Sequence, residues 1–325
     1  MMDKLQSKIV SQLLDASNSF IRTGSSENWE PGPVKALPEP GDPTNPLGVW
    51  WESFILTVAL QGDTPEVHQR ILAAPFESLG FQTVFEAFKA SQLYAISAAR
   101  HIAAVAHLLS SDSVGIQPVL TASRAVAESS ARAYWLADLE INGRERARRW
   151  VNNELVELHH LRSFSKAEDR KFVTEREKRA NDLGRLLDFP RSSSKEGKPY
   201  FFGERPPSIT GLMEACRPGS SHSYAMASSV LHANTFILKH LGSFDWVTVE
   251  LDEATEQSRI MSESELRSVA ISLKDSVALF GQSTVALIEQ FGWHKEDHYM
   301  KFIELLVTLM KVVEPNEARA LEGDT

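Results

Sequence analysis

The chain has 325 residues, 42% of them hydrophobic and 24% charged, so it belongs with globular proteins able to bury a substantial core rather than with disordered or fibrous ones. Its net charge of −9 is the wrong sign for a surface that grips nucleic acid or anionic lipid throughout, and neither a membrane nor DNA is expected as a partner. The single cysteine, Cys216, allows no intrachain disulfide and no cysteine-only metal site, and Met1 to Leu14 lacks the uninterrupted apolar run of a secretory leader, so a cytoplasmic protein is expected.

From Asp3 to Ile21 the residues Leu5, Ile9, Val10, Leu13, Leu14 and Ile21 recur at three- and four-residue steps, which predicts an N-terminal helix over about 1–22. Six prolines between Ser25 and Gly48 remove backbone donors and push each preceding residue out of the helical region, predicting an extended strap over 23–48. Apolar residues resume at Trp50 to Leu60, and Pro65 suits the first turn of a short helix to Ala74. Thr83 to Leu109 is apolar nearly all round, the pattern of a helix in the middle of a bundle; its core stretch from Ala95 is interrupted by Arg100, His101 and His107, which predicts a core helix and not a membrane anchor.

Pro118 opens a helix to about Leu139, and Arg144 to Phe164 forms the next, with Val151, Leu155 and Leu158 inward. Ser165 and Glu168 have the spacing of a capping box ahead of a charged helix ending near Leu187. Beyond a Ser/Pro/Gly-rich loop at Phe189 to Pro207, Ser208 caps a short helix to Cys216, and Ser221 to Leu241 reads as a longer one. Trp246 to Leu251 alternates like a strand without an obvious partner and is expected to be a connector. A second capping box, Ser262 and Glu265, starts a helix that Gly292 ends, a last helix carries Phe302 to Val313, and an acidic tail fills 314–325. The expected fold is therefore all-α: one helical bundle over 49–313 with a proline-rich N-terminal strap and little or no β structure.

Two helices carry residues fit for chemistry. Arg124 and Glu128 share one helix face with Leu120, Ala131 and Trp135, where an inward arginine and glutamate four apart must be fully hydrogen-bonded to be tolerated. Such a pair either fixes how two helices meet or forms a site. Tyr224, Ser228 and His232 recur every fourth residue and stack phenol, hydroxyl and imidazole along one stripe. Histidine titrates near neutrality and suits proton transfer, while a solvated helix face remains the plainer reading. The run Arg144, Arg146, Arg148 and Arg149 either collects RNA as a local basic patch or belongs, with its many neighbouring carboxylates, to an exposed salt-bridged helix.

Metal and cofactor signatures are weak. Glu157 and His160 give one Glu-x2-His, where a bundle di-iron centre needs two. His294 and His298, near Glu296 and Asp297, form a candidate surface metal grip with no third ligand evident. The chain has no P-loop, no Gly-x-Gly-x2-Gly and no Gly-x-Ser-x-Gly, and no cofactor or metal is expected.

The stretches SRAVAESSARAYWLAD, GRERARRW, PPSITGLMEA and YAMASSVLHAN, spanning about Gln117 to Leu241, resemble an uncharacterised bacterial all-helical family marked by an Arg-x3-Glu helix, an arginine-rich turn and a Tyr-x3-Ser-x3-His helix. That family is distantly similar to HEPN proteins, helical bundles that include metal-independent ribonucleases of toxin–antitoxin and phage-defence systems. The resemblance implies the fold and, if the activity is retained, a site in which His232 activates a ribose 2′-hydroxyl, Arg124 holds the phosphate beside Glu128, and Tyr224 or Ser228 positions it. The HEPN signature is Arg-x4-His on a helix, and the one literal match here, Arg217 to His222, encloses the helix-breaking Pro218 and Gly219. Two functions are thus expected: a HEPN-like ribonuclease or related defence effector, or a non-catalytic helical module for a small molecule or protein partner. A homodimer is the default oligomer.

Overall fold

The computed structural model describes residues 2–23, 79–111, 116–141, 143–192, 201–231, 263–291 and 296–313. Helices account for nearly all of them: α1 (Met2–Thr23), α2 (Leu79–Ser110), α3 (Ile116–Ala137), α4 (Gly143–Phe164), α5 (Ala167–Leu186), α6 (Ile209–Cys216), α7 (Ser220–Leu231), α8 (Glu263–Phe291) and α9 (Glu296–Val313). The fold is all-α. Among the described residues the one β feature is an isolated antiparallel bridge between Arg191 and Phe202. The strap beyond Thr23, the short helix expected at 65–74, the alternating stretch 246–251 and the acidic tail lie outside the described residues.

The described residues gather into two compact units. One draws on Met1–Glu30, Gln92–Trp135 and Ile209–Thr325, the other on Pro31–Ser91 and Leu136–Ser208. Hydropathy carries no mark of this division, because α2 runs through Ser91 with neither proline nor glycine near it.

In the first unit α9 packs against α1 and α8, and α8 also packs against α6 and α7. The helical spacing of Ile9, Leu13 and Phe20 on α1 and of Leu273, Val277 and Phe280 on α8 puts these side chains in one core, each no more than 1% exposed. The Phe20 and Phe280 rings meet edge to face at 5.7 Å. Gly281 of α8 lies so close to the Phe302 ring of α9 that a Cβ there would collide with it. Residues Glu86–Ser110 have the length and mean hydropathy of a membrane-crossing helix. From Ala95 onward, however, Ala98, Ala99, Ile102 and Val105 are buried, and Ser17 and Gln6 of α1 donate hydrogen bonds to the Ala99 and Leu109 carbonyls.

In the second unit α4 and α5 pack as a hairpin, with Val151, Leu155 and Leu158 of α4 and Val173 and Ala180 of α5 buried. The expected capping box at Ser165 does not form. The Ser165 hydroxyl instead donates 2.7 Å back to the Leu161 carbonyl, one of the unsatisfied acceptors at the end of α4, while the residue at the cap of α5 is Lys166, with no side-chain bond. After α5, Asn152 grips the backbone of Phe202 from both sides, accepting from its N–H and donating to its carbonyl, each at 2.9 Å. The Phe202 ring then fills the space over Gly184, where a Cβ would strike it.

Candidate functional site

The first unit brings three of the expected site residues together. Arg124 and Glu128 lie one turn apart on α3 because Ala125, Val126 and Ala127 continue the helix between them, and Tyr224 arrives from α7. Arg124 Nε donates to Glu128 Oε1 at 2.7 Å, and Arg124 Nη2 donates to the Tyr224 hydroxyl at 3.1 Å. That hydroxyl donates in turn to Glu128 Oε1 at 2.8 Å. The guanidinium carbon stands 5.0 Å from the centre of the Tyr224 ring, within reach of a cation–π attraction. Below the network, Ala127 and Ala131 of α3, Leu212, Met213 and Cys216 of α6, and Leu279 of α8 form an apolar bed against which Trp135 and Tyr224 pack.

The Arg124 and Glu128 side chains are 17% and 31% exposed, so the network is neither sealed nor freely solvated. Burial alone would lower the Arg124 pKa, but the hydrogen bond and charge of Glu128, with a smaller contribution from Tyr224, hold it above its ordinary value. Burial raises the Tyr224 phenol, and its bond to the Glu128 carboxylate raises it further, against the opposing pull of Arg124. Tyr224 is thus a firmly protonated donor at neutral pH. One atom stands outside this accounting. Among the described residues Arg124 Nη1 is buried and has no hydrogen-bond partner.

Ser228 lies one turn further along α7, half-buried, and joins none of these hydrogen bonds. His232 lies outside the described residues. The literal Arg-x4-His match is divided as its sequence requires: Arg217 follows α6, Gly219 adopts φ +85°, and His222 belongs to α7.

The arginine run on α4 belongs to the second unit and is bonded internally rather than displayed. Arg144 donates 3.1 Å to the Asp188 carbonyl and stands over the Phe189 ring. Arg146 is wholly buried, donating to the carbonyls of Leu136, Asp138 and Ile141, which corrects the expectation of an exposed face at this position. Arg148 holds both oxygens of Glu145, at 2.7 and 2.6 Å, together with the Phe202 carbonyl. Arg149 bridges Glu145 and Asp138, each at 3.1 Å. Burial would raise the Glu145 carboxyl, but the bonds from Arg148 and Arg149 outweigh it and hold the group below its ordinary value. Spacing alone does not reveal these roles, since each arginine reaches carbonyls or carboxylates outside its own helical stripe.

His298 is a second correction. It is 1% exposed, not part of a surface metal grip, and its Nδ1 and Nε2 are 2.8 and 2.9 Å from the Ser19 and Thr284 hydroxyls. His294 lies outside the described residues. His160 is exposed against the His159 ring, and no group of three metal-ligating side chains occurs among the described residues. Sequence inspection also missed a buried hydroxyl chain in which Ser123 of α3 meets Ser276 at 3.3 Å and Ser272 at 3.2 Å on α8; the four-residue step between the two α8 serines was its only signal. Comparison of the chain with protein-family models, with curated proteins and with solved structures finds no match.

Proposed function

We propose that the chain is a helical ligand-binding protein whose site is the Arg124, Glu128 and Tyr224 network, and that its ligand offers an anionic oxygen, a carboxylate or phosphate, to Arg124. The observation that carries this reading is the unmatched Nη1. A guanidinium has five N–H donors and no acceptor, and leaving a buried donor unmet costs about 1–3 kcal/mol. A ligand oxygen recovers that cost once the groups that bury Nη1 move aside to admit it. Glu128 already balances the opposite edge of the guanidinium, and Tyr224 keeps its proton, so the network orients a ligand without supplying a strong base.

Thermal melting with inorganic phosphate, a nucleoside monophosphate and a dicarboxylate tests the reading. At least one should raise the melting temperature of the wild type, and Arg124→Gln should abolish the shift. Tyr224→Phe, which removes one hydrogen bond at each end, should weaken binding by about 5–10-fold. A wild-type protein indifferent to all three probes would remove it.

A second reading rests on the same spare donor together with the Tyr224, Ser228 and His232 spacing: a HEPN-like, metal-independent ribonuclease or phage-defence effector. Arg124 would hold the scissile phosphate, Tyr224 or Ser228 would orient it, and His232 would take the 2′-hydroxyl proton. Because Arg144, Arg146, Arg148 and Arg149 are engaged with protein partners, RNA would have to exchange those bonds, which ranks this reading second. Under it, His232→Ala abolishes RNA cleavage while helical content and melting temperature stay unchanged. RNA left intact by the wild type, with and without added metal, leaves the binding reading alone.

A further inference from the structure

The second unit carries an open cavity of about 630 Å³, bordered by the start of α2, by α4 and by α5 and within the size range of small-molecule sites. Its layout follows from the α4–α5 hairpin. Glu154 of α4 holds Arg176 of α5 at 2.7 Å, and the two helices run antiparallel, so one turn back along α4 and one turn forward along α5 reach about the same level. Those steps end at Trp150 and Ala180. Ala180 presents only a methyl group, and the Trp150 indole, Arg179 and Leu183 line this end of the cavity with it.

The charges around the cavity are unevenly matched. Each of its four carboxylates, Glu86, Glu154, Glu175 and Asp182, already lies within 4.0 Å of a lysine or arginine of the chain. Lys178 and Arg179 line the cavity too, and among the described residues neither has an ion pair or a hydrogen bond. The Trp150 indole likewise has no hydrogen bond or ring contact among them. The wall thus holds an aromatic face and two cations that the unit itself does not use.

We propose that this cavity binds a small aromatic phosphate ester, its ring against Trp150 and its phosphate oxygens at Arg179 and Lys178. A phosphate monoester carries about two negative charges at neutral pH, which two otherwise unmatched cations balance, and the planar fork of Arg179 suits its oxygens. A neutral aromatic guest would leave both cations as they are, and inorganic phosphate would leave the indole and Leu183 uncovered. Only a molecule carrying both groups uses both parts of the wall. The site is independent of the Arg124 network, which belongs to the first unit.

Isothermal titration calorimetry of the full chain with naphthyl phosphate tests the proposal. The wild type should bind it with a Kd of about 10–100 µM, and naphthol and inorganic phosphate should each bind at least about tenfold more weakly. The double variant Lys178→Gln with Arg179→Gln should weaken binding by about 30-fold, and Trp150→Leu by about tenfold. Arg124→Gln should leave the affinity for naphthyl phosphate unchanged, which separates this site from the one in the first unit. Circular dichroism accompanies each variant. Lys178 and Arg179 are exposed and make no bond whose loss would unfold the chain, so the double variant decides should Trp150→Leu unfold. A wild type that binds no naphthyl phosphate at about 1 mM overturns the proposal, as does binding that the double variant retains in full or that Arg124→Gln abolishes. Naphthol or inorganic phosphate bound as tightly as naphthyl phosphate overturns it as well.

Discussion

Arg146 carries its guanidinium wholly inside the second unit, against the carbonyls of Leu136, Asp138 and Ile141 and 4.6 Å from the centre of the Phe88 ring. Burial draws its pKa down to about 9, with Asp138 opposing and Arg149 adding to the fall, so the side chain stays a cation at neutral pH. Carbonyls at the end of α3 carry partial negative charge and are natural acceptors for it. Arg146→Ala would leave these acceptors unmatched and open a cavity beside Phe88, and the expected loss is about 3–4 kcal/mol. Urea denaturation should record a lower midpoint at unchanged slope. Arg146→Lys should recover only part of the loss, since a point charge cannot span three carbonyls and lie over a ring. A stability within about 0.5 kcal/mol of wild type for Arg146→Ala would show that the cation holds nothing in place.

Between elements, glycine positions decide how closely helices approach. Helix propensity alone says that Gly281→Ala should stabilise α8 by about 1 kcal/mol. Against this stands the Phe302 ring of α9, which a Cβ at Gly281 would strike. Both groups are buried, so the ring cannot swing into solvent, and overpacking of about 1–3 kcal/mol outweighs the gain. Gly281→Ala should therefore lower the melting temperature, and Phe302→Leu should cost less in that background than in the wild type. A melting temperature raised by Gly281→Ala would place the ring farther away. Ser165 makes the related point for helix ends: its spacing to Glu168 matches a cap for α5, yet its hydroxyl serves the end of α4, because two adjacent helix termini compete for one side chain.

Across the first unit, His298 joins three helices, with Ser19 and Phe20 from α1, Thr284 and Phe280 from α8, and its own α9. Burial, with a smaller push from Lys301, lowers its pKa from 6.5 to about 4, so the folded protein holds it neutral. The unfolded chain takes up a proton below about pH 6.5 that the folded chain refuses until about pH 4, so stability is full above this window and falls as the pH drops through it. At roughly 1.4 kcal/mol per pH unit, the loss across the window is about 3 kcal/mol. Melting curves of the wild type should show this slope, and His298→Gln should lose it; equal slopes in the two proteins would place the imidazole in contact with water.

Hydrophobic steps of three and four residues are a property of neighbouring positions, so the sequence alone determined that the chain is all-α and, within a few residues, where α1 to α6 and α8 begin and end. It also determined that Arg124 and Glu128 share a face, since one helical turn separates them. Only the tertiary structure decided that Tyr224, 100 residues away, closes their network, that Arg146 turns inward, and that His298 is sealed among hydroxyls. The physical reason is the same in each case: helix periodicity is local, whereas the partner that satisfies a buried polar group comes from whichever distant segment packing brings beside it.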